Sequence, residues 1–127
     1  DARFHWLGRV TDDEKFARLR AADVFCAPSL RGESFGVVLI EAMAASTTVV
    51  ASSLDGYGNV ATHDVDALLV EPGDVEALGD ALGRVTTDHA LSRRLRGTGD
   101  VRAEDFAMTS LTDRYVEIYQ SLLPSSR

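Results

Sequence analysis

Val37 to Ala45 is apolar at every position except Glu41, and no other feature of the chain so narrows its fold. Read as a helix opening near Gly36, the run is apolar nearly all round, and such a helix is normally buried. The flanking sequence supplies layers to bury it. Asp23 to Ala27, ended by Pro28, and Thr48 to Ala51, rich in β-branched residues, read as strands on either side. A loop from Ser29 to Ser34 leads from the first of these into the helix.

The alternation extends in both directions. Phe4 to Leu7, closed by Gly8, predicts an earlier strand. Thr11-Asp12-Asp13-Glu14 is a capping box, and it opens a helix with Phe16 and Leu19 on one face. Asp55 to Asn59 reads as a turn or short helix, and Ala67 to Val70 as a fourth, short strand. Strands alternating with helices predict an α/β fold, a Rossmann-like parallel sheet of about four strands with flanking helices. The remainder is helical. Pro72-Gly73-Asp74 caps a helix whose apolar face is Val75, Leu78, Leu82 and Val85. Leu91 and Leu95 mark a short helix stopped around Gly97. A last helix begins near Thr109 and carries Leu111, Tyr115, Ile118, Tyr119 and Leu122. With no repeats or linkers, the chain reads as one domain.

Composition excludes several functions. The 127 residues are 45% apolar, enough for one real core. No stretch approaches the ~20 apolar residues of a membrane span. A formal charge of −7 argues against nucleic-acid binding. Cys26 stands alone in strand-like sequence, which rules out an internal disulfide and suits a reducing cytoplasm and a core thiol. His5, His63 and His89 lack metal-ligand spacing, and no Ser-His-Asp arrangement is recognisable. The chain opens Asp1-Ala2-Arg3, without Met or a secretory leader, so it is expected to be a piece of something larger.

Chemistry concentrates around the apolar helix. An unpaired buried carboxylate at Glu41 would be expensive, so it needs a partner: a nearby arginine, a set of backbone amides or a ligand. Gly36 permits close backbone approach, and the first-turn amides of a helix form an anion site. Glu33 lies just before them. Glu41 lies about 7 Å further along the axis, on the face of Val37. A phosphate cradle flanked by two carboxylates suits a ligand with hydroxyls at both ends, which is the form of a nucleotide-sugar.

Gly32-Glu33-Ser34-Phe35-Gly36 followed by Val37-Val38-Leu39-Ile40-Glu41-Ala42-Met43-Ala44 resembles the donor-site signature of the retaining GT-B glycosyltransferases of the glycosyl transferases group 1 type. Phe4 to Val10, Ala22 to Ser29, Val49 to Ser52 and Leu68 to Leu78 resemble consecutive segments of the same family, and within it the actinobacterial phosphatidylinositol mannosyltransferases. The resemblance implies a partial C-terminal lobe of a GT-B fold: residues 1–127 as part of a donor-binding domain, without the acceptor-binding N-terminal lobe. It implies that Glu33, the catalytic candidate, contacts hydroxyls of the donor hexose, helped by the amides of Ser34, Phe35 and Gly36. The amides of Val37 and Val38 would face the diphosphate, Glu41 would take the ribose, and Val10 would border the base. Asp12 and Lys15 match the base-reading pair of the mannosyltransferases. A carboxylate suits guanine, which offers N1–H and an amine, although Asp12 could equally serve the helix dipole.

The implied donor is GDP-mannose or another nucleotide-sugar, with no bound cofactor or metal. The implied partners are the missing lobe and a phosphatidylinositol-type lipid at the cytoplasmic face of the plasma membrane. UDP-glucose or UDP-N-acetylglucosamine as donor, and a non-catalytic α/β binding module, stay open as alternatives. Ser46-Thr47-Thr48 departs from the family's Gly, small residue and Pro, and the family's basic diphosphate clamp has no counterpart here. The chain alone is therefore expected to be inactive, and self-association through exposed apolar surface is expected.

Overall fold

A computed structural model describes residues 1–32 and 35–107. Glu33, Ser34 and the helix expected from Thr109 lie outside the described residues. Three strands, β1 (Val24–Ala27), β2 (Thr48–Ser52) and β3 (Leu68–Val70), form a parallel sheet in that order. Val24 pairs with Thr48 and Val50 with Leu68.

Every residue of β2 is buried, as a strand covered on both faces must be. Side-chain alternation along it divides the core. Val49 and Ala51 join Leu39, Ala42 and Met43 of α2 (Val37–Ala44), while Val50 packs with Leu68, Ala81, Val85, Leu91 and Leu95. Ala81 and Val85 belong to α4 (Val75–Thr87), and Leu91 and Leu95 to α5 (His89–Glu104). Short α3 (Asp55–Gly58) follows β2, and α1 (Asp12–Ala21) precedes β1.

The caps form where local chemistry asks for them. Thr11 Oγ1 accepts from the amide of Glu14 at 3.2 Å, and Asp74 Oδ1 from that of Ala77 at 2.9 Å. Only half of the capping box at Thr11 is seen: the Glu14 carboxylate instead accepts from Arg18, one turn on, at 3.1 Å.

Several expectations need correction. Among the described residues the sheet has three strands, not four, because Phe4 to Leu7 pairs with none of them. A strand requires a neighbour for its backbone. Phe4 (68% exposed) and Trp6 (94%) find no core either. Gly97 does not stop α5, which continues to Glu104. Its route is set by packing: a Cβ at Gly99 would lie 3.4 Å from Met43 Cγ, so the glycine lets α5 lie against α2. Val75, at the first position of α4, is exposed and contributes nothing to that helix's buried face. Ser46, where the family has glycine, adopts φ 59°, and its Oγ donates to Asp100 on α5 at 2.6 Å.

Candidate functional site

Parallel sheets bind ligands beyond the carboxyl ends of their strands. At that end of β1 the chain leaves through Pro28 and Ser29 and returns at Gly36, the residue preceding α2. Gly36 has φ 88°, and a Cβ there would approach Gly56 O at 3.1 Å and the Tyr57 ring at 3.2 Å. Only glycine combines that torsion with that contact. Tyr57, buried on α3, also meets Ser29 Oγ through its hydroxyl at 3.1 Å, so it contacts both ends of the loop. Sequence reasoning missed Tyr57. The available signal was a large aromatic flanked by two glycines directly after the central strand.

As N-cap, Gly36 has no side chain with which to cap the first turn of α2. The amides of Val37 and Val38 begin a helix whose dipole favours an anion. The apolar run is not buried all round: Leu39, Ala42 and Met43 are, but Val37 (52%) and Val38 (38%) are exposed. Val37 instead borders a groove of about 490 Å³ lined also by Phe16, Phe35, Ile40, Glu41 and Phe106.

Asp12 and Lys15 of α1 line the same groove. Lys15 Nζ stands 3.1 Å from Glu41 Oε2 and 3.6 Å from Asp12 Oδ1. The partner of Glu41 is therefore this lysine, not the arginine expected. The hydrogen bond to Glu41 first, then the charges of Glu41 and Asp12, hold the Lys15 pKa above its ordinary 10.5 against some desolvation. Asp12 is 91% exposed and Glu41 25%, so the outer carboxylate faces solvent while the inner one is partly covered. Two acceptors around one donor can match the edge of a base and a pair of vicinal hydroxyls.

Of the expected site residues, Asp12, Lys15, Phe35, Val37 and Glu41 meet in this one groove. Gly36 and Val38 sit at its helix end. Val10, expected to border the base, is half-buried in the segment before α1, outside any strand. Phe35 sets its ring edge-on to Phe106, with centroids 6.0 Å apart and planes at 84°, an arrangement that aromatic pairs favour. Among the described residues no group of His, Cys, Asp and Glu could hold a metal ion, and no helix is long and apolar enough to cross a membrane.

The family model for glycosyl transferases group 1 matches residues 1–100. A phosphatidyl-myo-inositol mannosyltransferase of Mycobacterium leprae is 39% identical over 120 residues, which are 94% of this chain and 32% of that protein. The chain thus spans about a third of that relative's length. Among solved structures, sucrose-phosphate synthase from Thermosynechococcus elongatus superposes with a TM-score of 0.90 at 31% identity, covering 98% of this chain and 31% of that one. Anabaena HepE in complex with UDP-glucose superposes with a TM-score of 0.78 at 24% identity, covering 83% of this chain and 29% of that one.

Proposed function

The chain belongs to the glycosyl transferases group 1 family, and we propose that it is part of the donor-binding domain of a retaining hexosyltransferase. GT-B glycosyltransferases are its structural neighbours. The observation that carries the reading is the groove where Asp12, Lys15 and Glu41 meet beside the start of α2. The nucleoside lies there, with Asp12 and Lys15 toward the base, Val10 bordering it, and Glu41 toward the ribose. The diphosphate follows at the amides of Val37 and Val38. The hexose lies beyond, at Glu33 and the amides of Ser34, Phe35 and Gly36. Base and ribose are joined in any nucleoside, and Lys15 joins the two carboxylates assigned to them.

The donor in this reading is GDP-mannose and the acceptor a phosphatidylinositol-type lipid at the cytoplasmic face of the membrane. The name of the Mycobacterium leprae relative, a phosphatidyl-myo-inositol mannosyltransferase, supports the mannosyl group and the acceptor class, while guanine rests on Asp12 and Lys15. The hexosyl group leaves the diphosphate oxygen and joins an acceptor hydroxyl, whose proton departs with the nucleoside diphosphate. Retention at the anomeric carbon follows the family. No bound metal or cofactor is needed, because the helix end meets part of the diphosphate charge.

Calorimetry on the intact protein with GDP, UDP and their sugars tests the donor. GDP and GDP-mannose are expected to bind more tightly, and tighter binding of UDP overturns the guanine reading of Asp12. Glu33→Gln in the intact enzyme is expected to lower turnover by orders of magnitude while the fold survives; near-normal turnover removes Glu33 from the site. Residues 1–127 alone are expected neither to transfer sugar nor to bind donor tightly, because the family's basic clamp and second lobe lie elsewhere. Exposed Phe4 and Trp6 give this isolated chain a face for self-association, which sedimentation at rising concentration checks.

A further inference from the structure

Phe35 stands between Glu33-Ser34 and Gly36, in a segment with glycines at φ 89° (Gly32) and φ 88° (Gly36). A glycine beside Phe35 does little of its own to fix the backbone there. A side-chain anchor therefore has much to restrict. Phe106, just beyond α5 and buried, supplies one through the edge-on ring contact with Phe35.

Phe106 is itself held. The Arg102 guanidinium lies over its ring, 4.5 Å from the centroid, where a cation is attracted to the aromatic face. That guanidinium donates through Nε to Val60 O at 2.8 Å, through Nη2 to Asn59 O at 3.1 Å and through Nη1 to Asp105 Oδ2 at 2.9 Å. A planar fork spanning two successive carbonyls is a task for arginine, since lysine offers one ammonium point. Asn59 and Val60 directly follow α3, whose Tyr57 packs on Gly36 and bonds Ser29. One short stretch, Tyr57 to Val60, thus supports Gly36 directly and Phe35 through Arg102 and Phe106.

We propose that Arg102 is a positioning residue for the sugar end of the donor site, acting through Phe106 on Phe35. This rests on the reading that Phe35 and Gly36 present their amides to the donor hexose. Arg102 does not itself line the groove that would take the nucleoside and reaches it only through Phe106, while Asp12, Lys15 and Glu41 hold one another without it. Its removal should change how the hexose is held while leaving the Asp12, Lys15 and Glu41 contacts of the nucleoside end in place.

The test uses the intact protein and two readouts. In unliganded protein, Arg102→Ala and Phe106→Leu should speed amide hydrogen exchange at Phe35 and Gly36 by about two- to tenfold, the range an aromatic contact can shift a local equilibrium. Arg102→Lys should fall between them and the wild type. Exchange at Val49 to Ala51 should stay unchanged, which separates loop order from global unfolding. Should Arg102→Ala also loosen those β2 amides, Phe106→Leu, which keeps apolar bulk, decides. In turnover with the nucleotide-sugar, Arg102→Ala and Phe35→Leu should each lower kcat/KM, and the double variant should lose no more than the worse single one. Nucleoside diphosphate affinity of Arg102→Ala should stay within about twofold of wild type. Unchanged exchange at Phe35, or additive losses in the double variant, overturns the proposal. Faster exchange in the variants of a protein that binds no nucleotide-sugar overturns the donor reading instead and leaves the relay standing.

Discussion

Lys15 on α1 and Glu41 on α2 meet at 3.1 Å, and that contact gives the one ionisable group of an apolar helix its charge partner. Both side chains keep some exposure, so the pair contributes little to stability at neutral pH, where solvent screens it. Its larger consequence is orientation: the carboxylate is held at the groove rather than turned to water.

Replacing Lys15 should therefore separate stability from binding. Lys15→Met is expected to unfold in urea near the wild-type midpoint at pH 7, while nucleoside diphosphate affinity falls about tenfold or more. The pH dependence has a defined sign. The folded pKa of Lys15 lies above its unfolded value, so its contribution is complete below 10.5 and is lost as pH rises through the folded pKa. Wild-type and Lys15→Met unfolding curves should converge above pH 10.5. A gap that widens there refutes the assignment.

Gly36 is the site residue least tolerant of a side chain. Gly36→Ala must take a methyl into contact with a backbone oxygen at 3.1 Å and a buried ring at 3.2 Å, at φ 88°. Left-handed backbone alone costs a non-glycine residue about 1–2 kcal/mol. Chemical denaturation should show at least that loss, and donor affinity should fall with it because the amides that follow are displaced. Unchanged stability would mean that Gly56 and Tyr57 yield freely.

The two glycines of α5 answer differently to substitution. A Cβ at Gly97 meets nothing within 4 Å. Gly97→Ala should therefore stabilise by about 0.5–1 kcal/mol through helix propensity. At Gly99 a Cβ already lies 3.4 Å from Met43 Cγ, and Gly99→Val adds methyls beyond it. Overpacking there should cost about 1–3 kcal/mol. Thermal unfolding of both variants checks the contrast. Equal effects would show that the closeness of α2 and α5 is not set by Gly99.

This pair of glycines also marks where sequence stops being legible. Helix propensity and caps are local, so α1, β1, α2, β2 and β3 emerge within a residue or two of expectation, as do the caps at Thr11 and Asp74. A glycine that ends a helix and one that lets two helices touch look the same in one dimension. Phe4 to Leu7 has strand composition, but pairing is a property of two segments, and this one has no neighbour among the described residues. The site divides in the same way. Glu41 announces itself as a charge in an apolar run, and Asp12, Lys15 and Phe35 come from the family pattern. Tyr57, Phe106 and Arg102 act from other elements, through contacts that spacing does not encode.

Asp66 offers the last test, because burial and hydrogen bonding oppose each other there. It is 4% exposed, and its Oδ1 accepts from the amide of Thr62 at 2.7 Å. Desolvation is the larger influence and raises its pKa above the ordinary 3.8, against the Thr62 bond and the Arg102 charge, which lower it. A raised folded pKa means that the protonated form is favoured on folding. The contribution is complete below 3.8 and is lost as pH climbs through the folded pKa. Asp64 runs the opposite way: hydrogen bonding to Arg94 lowers its pKa, so its contribution is present above 3.8 and is lost as pH falls through the depressed value. Comparing wild type with Asp66→Asn cancels Asp64 and leaves the Asp66 contribution alone. The asparagine carbonyl can still accept from Thr62, and it carries no charge to desolvate. The variant should gain stability relative to wild type as pH rises from about 4 to 7. If wild type gains instead over that window, the carboxylate is stabilised by its surroundings and the sign assigned to burial is wrong.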